Sequence, residues 1–556
     1  MRKSVFAVLA SAGLLCGALS ACTINAPAPH LVSSDQDAEA ELLGTQAPSP
    51  NSAKGNYSQL SIGVDTLGTT FNPHIHAGDN PVTRLIASLT LPSAFVNGQM
   101  NTDLLSSAQV IDTSSSQLRD LTGGQTVRYV INPSAQWSDG SPLTGSDFSF
   151  LWQQMTSSPN VINAAGYSLI DKIATSTDGR TVDVHFSQPY TEWNTLFDNL
   201  LPSHTLRGNT DFNEMLKTSI PSSAGKYQLI KVSNMGVATF KRNDRYWGST
   251  PALAEQIIIR AISMAGQMGT MLARQNLDAV DTNPSAAAEA KIKAPNQGIQ
   301  AKLESTDRTL DIIFNQSSNL LINQKQRAAV ANLIDFNTIY STAVDSVYSQ
   351  DLPDRATIPA SNTYTEGNRP IRVGADPDDA LALAVAESLV SSFRIKGYAS
   401  ELITEDESGL ASQDLPNGSV DIAVAWQRTP NNISTLASQY GCEQEEKSTN
   451  NSDSVPTYRR DNLSGFCSST TESAINAALS GTMDFNELQS VISTQTSESV
   501  VSYPLIKELR IQAVGTSLVV PDSFVGKSIS SWPQLPGIGI FSTVSSWSSI
   551  SRENED

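Results

Sequence analysis

The chain has 556 residues, a hydrophobic content of 39% and a formal net charge of −19 at pH 7. This length exceeds what one hydrophobic core supports, so about three or four packed units are expected, and the composition argues against a disordered chain. Because phosphate contacts need clustered Lys and Arg, the excess of Asp and Glu (55 against 36) argues against nucleic acid as a partner.

The first residues have the layout of a bacterial secretory signal. Two basic residues precede an apolar run, Val5–Leu19, and Cys22 ends a stretch that resembles the lipobox of bacterial lipoproteins. The pattern predicts a signal peptide over residues 1–21. It also predicts a lipid on Cys22 that anchors the protein at the extracytoplasmic face of the bacterial cell membrane. The alternative is a buried N-terminal helix. The sequence has no later run of about 18 apolar residues, so a membrane-spanning helix is not predicted.

Residues 22–56 are rich in Ala, Pro, Ser and Asn and lack hydrophobic periodicity, which predicts a flexible tether. Of the four cysteines, Cys16 leaves with the signal peptide and Cys22 carries the lipid. Cys442 and Cys467 remain, and in an oxidising exterior they can form a disulfide. A metal-binding pair is the alternative, but no His lies near them in the sequence.

The body begins with a predicted strand, Leu60–Asp65. A second strand, Val127–Ile131, has the alternating pattern of a half-buried ladder and leads to a turn at Asp139-Gly140. A helix follows, with Thr144 as its cap and Asp147 at the capping-box position. Its predicted buried face has helical spacing and consists of Phe148, Leu151, Trp152 and Met155.

Strands and helices alternate later in the chain. Asn323 is predicted to cap a helix that carries Val330, Leu333 and Ile334. A β-α-β unit with parallel pairing is predicted from strand Ile371–Gly374, helix Asp378–Phe393 and the apolar strand Asp421–Trp426. Further strands are predicted at Asp171–Thr175, Thr181–Phe186, Leu310–Phe314, Leu509–Ala513 and Leu518–Val520.

Several stretches carry a resemblance to a known family. Trp137-Ser138-Asp139-Gly140, followed by Thr144 and Asp147-Phe148, is similar to the signature of family 5 extracytoplasmic solute-binding proteins, the oligopeptide- and dipeptide-binding group of ABC importers. Arg242-Asn243 with Tyr246-Trp247 resembles another element of that family. The resemblance implies an α/β, two-lobed periplasmic-binding-protein-like fold (type II, cluster C-like). It further implies an extra subdomain inserted in the N-terminal lobe.

The resemblance also implies a division of the chain. The expected parts are the signal peptide 1–21, the tether 22–56, lobe I from 57–93, 222–320 and 500–556, an inserted subdomain 94–221, and lobe II 321–499.

Enzymatic motifs fail on inspection, so neither enzyme activity nor a cofactor is predicted. Gly526-Lys527-Ser528 has Pro521 where a P-loop needs its first Gly. His74 and His76 could offer two imidazoles to a metal, but such sites need three or four ligands, so a solvated pair is predicted. The acidic residues Asp376, Asp378 and Asp379 are predicted to be charges at a helix N-terminus and not Ca²⁺ ligands.

The ligand cleft is predicted where the strand Asp421–Trp426 ends. In peptide binders of the family, a carboxylate three residues after the Trp of that strand holds the peptide's α-ammonium, and Thr429 occupies that position here. Arg428 would repel an ammonium and suit an anion or carbohydrate hydroxyls, unless it points to solvent or pairs with a local acid. The predicted ligand-binding residues are Phe95, Trp426, Arg428, Thr429, Asn431 and Asn432.

Two functions remain open at this point. The first is a monomeric, lipid-anchored binding protein that delivers a peptide-like or other polar or amphiphilic ligand to an ABC permease. The second follows from the similarity of the segment around Trp426 to actinobacterial LpqW-type lipoproteins. It is regulation of phosphatidylinositol mannoside and lipoarabinomannan synthesis, with a glycolipid as ligand and a synthesis enzyme as partner. A closable, ligand-sized cavity would favour the first function.

Overall fold

The computed structural model describes residues 59–121, 123–208, 211–293, 298–344, 353, 358–359, 369–442 and 461–550. The predicted signal peptide, the tether and the lipidation site Cys22 lie outside these residues. Within the described ranges, no helix combines the length and apolar character needed to cross a membrane.

Strands carry most of the architecture. Numbered in chain order, they are β1 Gln59–Val64, β2 Phe95–Val96, β3 Gln99–Met100, β4 Leu105–Ile111, β5 Gln125–Ile131, β6 Ile170–Thr175, β7 Thr181–Phe186, β8 Tyr227–Ser233, β9 Val237–Arg242, β10 Gln256–Ala261, β11 Ala279–Thr282, β12 Gln300–Phe314, β13 Ile371–Ala375, β14 Ser400–Thr404, β15 Ile422–Arg428, β16 Ser502–Val514, β17 Leu518–Val519 and β18 Ser548–Ser549.

A ten-stranded mixed sheet runs through the molecule in the order β14-β13-β15-β12-β16-β11-β1-β10-β9-β8, and a separate four-stranded sheet has the order β4-β5-β7-β6. The predicted parallel pairing of β13 with β15 is confirmed. The helix Ala380–Ile395 leads first to β14, an unpredicted strand that pairs in parallel with the other edge of β13. Residues Ile422–Ala425 of β15 are buried, as its apolar run predicts. The two ends of the large sheet form the two lobes of an α/β fold, as expected.

Helices cover the strands. Their bounds are Pro81–Thr90, Gly145–Ser157, Ser203–Leu206, Ala265–Ala273, Ala286–Lys293, Gln324–Ala331, Phe336–Ala343, Ala380–Ile395, Glu407–Gly409, Ile433–Tyr440, Ser469–Leu479 and Phe485–Ser499.

The predicted caps at Thr144 and Asn323 are confirmed, and Asp379 caps the helix Ala380–Ile395. The helix capped by Asn323 is shorter than predicted. It ends at Ala331, because Asp335 caps a new helix four residues later.

In the stretch Trp137–Phe148, which carries the family resemblance, buried polar groups converge on the carboxylate of Asp147. Asp147 accepts hydrogen bonds from the backbone N–H of Thr144 at 2.9 Å, the backbone N–H of Ser203 at 3.0 Å and the indole Nε1–H of Trp137 at 3.4 Å. Trp137 is fully buried, and Gly140 allows the tight turn between them with a φ of +91°. These residues therefore fix a strand, a turn and a helix to one another, and they do not line the cleft.

The longest strands connect the lobes. β12 spans 15 residues, whereas the sequence predicts only its last five, Leu310–Phe314. Its first half pairs with the part of β16 that also pairs with β11, and its second half pairs with both β16 and β15. The register between β12 and β16 shifts between Ser305 and Thr309. This bulged two-stranded ribbon joins the two ends of the large sheet, and we refer to it as the hinge.

Two large apolar clusters fill the protein. One joins β1, β10, the helix Pro81–Thr90 and the four-stranded sheet, and the other joins β13, β15 and the helix Ala380–Ile395. The three helices between Ile433 and Ser499 contribute Ile433, Leu436, Ile475, Leu488 and Ile492 to the first cluster. The domain limits expected from the sequence, which place residues 321–499 in lobe II, stay predictions.

Candidate ligand-binding cleft

A cavity of about 880 Å³ lies mostly against residues of the first apolar cluster, and the end of β15 borders one side of it. Its wall comes from the helix Pro81–Thr90 and the loop after it, from residues 194–199, from residues 428–435 after β15, and from the loop at residues 535–545. The volume lies within the range of small-molecule sites, roughly 300–1,000 Å³. This cavity is the candidate functional site.

The structure brings five of the six predicted ligand-binding residues to this wall: Phe95, Arg428, Thr429, Asn431 and Asn432. Trp426 is not among the lining residues. Its indole Nε1–H donates to Asp379 at 2.5 Å, and the Arg308 guanidinium lies over its ring, 5.3 Å from the centroid. Trp426 therefore acts in the second lobe's packing, because Asp379 and Arg308 hold its indole away from the cavity.

Arg428 pairs with an acid of the other lobe. Its Nη2 lies 2.7 Å and its Nε 2.9 Å from Oδ1 of Asp79, and Asp79 also accepts from Nη2 of Arg84 at 2.6 Å. Burial alone would raise the pKa of Asp79, but Arg428 and Arg84 outweigh it and hold that pKa well below its ordinary value. One carboxylate thus ties two guanidinium groups across the cleft, and Arg428 is not a bare anion site.

A second charge cluster lies at the hinge. Arg308 donates through Nε and Nη2 to the Glu508 carboxylate, at 3.0 and 2.6 Å, and through Nη1 to the backbone oxygen of Asp79. Arg84 completes the connection by donating to Asp307 at 2.5 Å. Asp307 and Arg308 lie within the register shift of β12 and β16, and their ion pairs connect the hinge to the cleft wall.

The loop at Phe197–Asn199 presents a carboxylate to the cavity. Phe197 and Asn199 have positive φ values of 62° and 48°, and Asp198 between them lines the cleft with an exposed side chain. Desolvation by the cavity wall raises the pKa of Asp198 to about 7, although the nearby Arg428 opposes the rise. Cleft water still reaches the side chain, so a ligand can reach it too.

Asparagine is the most frequent polar residue type in the lining. Seven asparagines face the cavity: Asn97, Asn101, Asn163, Asn194, Asn199, Asn431 and Asn432. Asn432 is used as the cap of the helix Ile433–Tyr440, where Glu192 also accepts the backbone N–H groups of Ile433 and Ser434. The Oδ1 of Asn163 is buried without a hydrogen-bond partner among the described residues. Amides that donate and accept in this number suit a ligand with many hydroxyl groups.

The predicted solvated pair His74 and His76 is wrong, because both residues are buried. The Nε2 of His74 hydrogen-bonds the Asn199 backbone oxygen at 3.0 Å, and burial lowers the pKa of His74 to about 4. The Nε2 of His76 lies 3.6 Å from Asp461, whose pKa burial raises to about 6. No group of metal-binding side chains is found in the described part of the chain.

Sequence reasoning missed Asp79, Arg84 and Asp198. The pairing of Asp79 with Arg428 spans 349 residues, and no local pattern announces it. The Asp198-Asn199 pair between buried apolar residues is a recognisable signal of a tight polar loop, because these two residue types tolerate the left-handed region.

Cys442 follows the helix Ile433–Tyr440, and Cys467 precedes the helix Ser469–Leu479. The sulfur atoms of Cys442 and Cys467 are 2.03 Å apart, the distance of a disulfide. Most of the polar loop that they would close, residues 443–460, is outside the described residues.

Comparison with known proteins supplies the family. The model for bacterial extracellular solute-binding proteins, family 5, matches residues 115–394, which is half of the chain. Among curated proteins, the chain is 24% identical to the probable monoacyl phosphatidylinositol tetramannoside-binding protein LpqW of Mycobacterium tuberculosis, over 93% of this chain and 95% of that protein.

Two further matches cover less of this chain, or share a lower identity with it, than LpqW does. The oligopeptide-binding protein OppA of Mycobacterium bovis is 26% identical, but over 56% of this chain and 52% of OppA. The oligopeptide-binding protein AppA of Bacillus subtilis, solved with a nonapeptide, has a TM-score of 0.65 at 14% identity, covering 90% of this chain and 100% of AppA. The family match, the two-lobed sheet and the cleft agree, and the chain belongs to family 5 of the bacterial extracellular solute-binding proteins.

Proposed function

We propose that the protein is a lipid-anchored, extracytoplasmic binding protein whose cleft takes a glycan-bearing, amphiphilic ligand of the cell envelope. The observation that carries this proposal is the lining of the cavity by seven asparagines together with the apolar residues Leu89, Leu91, Met100, Leu196, Ile538 and Phe541. The amides match sugar hydroxyls, and the apolar residues match an acyl chain.

The charges of the cleft support the same ligand class. Thr429 stands where peptide binders of the family carry a carboxylate, so an α-ammonium lacks its usual partner there. Arg428 already holds Asp79 and is not available as a bare cation. The chain is similar to LpqW over nearly its whole length, and the name of LpqW specifies a phosphatidylinositol tetramannoside. This similarity agrees with a glycolipid ligand.

Delivery of a peptide to an ABC permease is the second candidate. The similarity to OppA and the exposed carboxylate of Asp198 favour it, because Asp198 could receive an ammonium from another direction. In this case the lipid anchor at Cys22 would hold the protein beside its permease.

Calorimetric titration of the full chain in detergent separates the two candidates. The probes are α-mannotetraose, a phosphatidylinositol tetramannoside in micelles, and penta-alanine. We expect both mannosides to bind and penta-alanine to give no heat. A ligand present at 100 times its Kd should also stabilise the protein by about 2.7 kcal/mol, which a thermal melt detects. Binding of penta-alanine with silent mannosides would refute the glycan proposal and support peptide delivery.

A further inference from the structure

We propose that Asp198 is the residue that selects the ligand's glycan, by accepting hydrogen bonds from its hydroxyl groups. This inference rests on the proposed function and deepens it. None of the predicted ligand-binding residues is an acid, so Asp198 adds a chemical group that the sequence does not place in the cleft.

The backbone around Asp198 is built to hold it in place. The Phe197 N–H donates to the Tyr167 hydroxyl at 2.7 Å, and its C=O accepts from the Ala94 N–H at 3.0 Å. The Asn199 N–H donates to the Ser93 hydroxyl at 2.9 Å. Bulky residues rarely adopt positive φ, and such strained positions persist only where the surroundings impose them.

Aromatic packing explains how the strain is tolerated. The Phe197 ring is fully buried, with its centroid 4.8 Å from that of Phe148 and 5.4 Å from that of Tyr129. Residue 198 is thus the tip of a loop whose flanks are fixed from both sides. The hydrogen bonds and packing of Phe197 and Asn199 therefore fix the position from which the Asp198 side chain lines the cavity.

The charge inventory of the wall gives Asp198 its role. Three cations line the cavity, and each has a partner: Arg84 donates to Asp79 and Asp307, Arg428 donates to Asp79, and Lys226 donates to the Thr250 hydroxyl at 3.2 Å. Of the lining acids, Asp103 accepts from the Tyr246 hydroxyl at 2.7 Å and Asp307 accepts from Arg84.

In contrast, the Asp198 carboxylate accepts no hydrogen bond from the described residues. The cleft therefore has a surplus of acceptors, which includes the buried Oδ1 of Asn163. A carboxylate offers two oxygens and can bind two neighbouring hydroxyls at once, whereas an anionic group placed there would be repelled.

This role predicts how binding depends on pH. The pKa of Asp198 is raised to about 7, so the carboxylate loses its charge as the pH falls from 8 to 5.5. Arg428 is the nearby cation. His74, with a pKa of about 4, stays neutral over this range, and burial keeps Tyr167 protonated. Asp461, which accepts from the Asn163 backbone N–H, does titrate here, with a pKa of about 6.

The test is calorimetric titration of α-mannotetraose into the full chain at pH 8 and pH 5.5, for the wild type, Asp198→Asn and Asp120→Asn. Asp120 is an exposed acid outside the cavity and serves as the matched control. We expect the wild type and Asp120→Asn to bind about tenfold more weakly at pH 5.5. Asp198→Asn should bind about tenfold more weakly at pH 8, with no further loss at pH 5.5.

Each result has one meaning. A wild type that binds α-mannotetraose, with Asp198→Asn binding equally well or keeping the pH dependence, overturns the inference and leaves the proposed function intact, since Asp461 would then account for the pH effect. A wild type that does not bind overturns the proposed function together with the inference. Because removal of a carboxyl with a raised pKa relieves an unfavourable charge, Asp198→Asn should melt at or above the wild-type temperature at pH 8, which excludes misfolding as the cause of weak binding.

Discussion

Replacing Asp79 with Asn should destabilise the protein, because Asp79 is the shared partner of Arg84 and Arg428. The side chain of Asp79 is 8% exposed, and those of Arg84 and Arg428 are 14% and 24% exposed. Removal of one member of a buried ion pair costs about 3–5 kcal/mol, since it leaves an uncompensated charge. Arg84 keeps its bond to Asp307, so we expect the lower end, about 3 kcal/mol.

The pH dependence of this effect follows from the sign of the pKa shift. Arg428 and Arg84 outweigh the effect of burial and hold the pKa of Asp79 below its ordinary value of 3.8. A carboxyl with a lowered pKa stabilises the folded state in full above its unfolded pKa, and that contribution is lost only as the pH falls towards the folded pKa. The difference between wild type and variant should therefore be equal at pH 7 and pH 5, and it should shrink below about pH 4.

Urea unfolding followed by tryptophan fluorescence measures the difference at each pH. Asp244→Asn is the matched control, because Asp244 makes exposed contacts with Lys241 at 3.3 Å and Arg242 at 3.7 Å, and surface pairs contribute about 0–1 kcal/mol. If Asp79→Asn costs no more than Asp244→Asn, the shared ion pair does not hold the lobes together and the reasoning is wrong.

Two further predictions concern stability. Asp147→Ala leaves the Thr144 and Ser203 N–H groups and the Trp137 indole without their acceptor, and it should lower the free energy of unfolding by about 3 kcal/mol. Asp147→Asn keeps one acceptor oxygen and should lower it by about 1 kcal/mol. Equal losses for the two variants in urea unfolding would contradict this account. Cys442→Ser with Cys467→Ser opens a loop of sequence separation 25 and should cost about 3 kcal/mol. Reductant should lower the melting temperature of the wild type to that of the double variant and should leave the double variant unchanged.

Local patterns predicted the elements that local forces determine. The capping box of Thr144 and Asp147, the hairpin strands β6 and β7, and the parallel β-α-β unit of the second lobe all depend on residues close in sequence or on one periodicity. The long strand β12 was recognised only in its last third, because its first ten residues are polar and become a strand through pairing with β16. Tertiary pairing there overrides a weak local preference.

The cleft was harder to predict, for a physical reason. Five of six residues proposed from the family resemblance line the cavity, but Trp426 does not, because its indole donates to Asp379 and packs within the second lobe. The charges that set the cleft's chemistry come from positions far apart in the chain, and their pairing depends on the tertiary fold. Asp79 and Arg428 are the clearest case, since neither residue type predicts which partner it will meet.

Ion pairing at the cleft and choice of ligand follow from the same electrostatics. Asp79 and Arg428 pair with each other although 349 residues separate them in the chain. Burial nearby disfavours the charged forms of Asp198 and Asp461, whose pKa values both rise. A ligand that brings hydrogen-bond donors relieves this cost at Asp198, whereas a ligand that brings a negative charge increases it. We therefore expect the cleft to favour donor-rich, uncharged groups, through Asp198 in the loop Phe197–Asn199 and not through the strand end at Thr429.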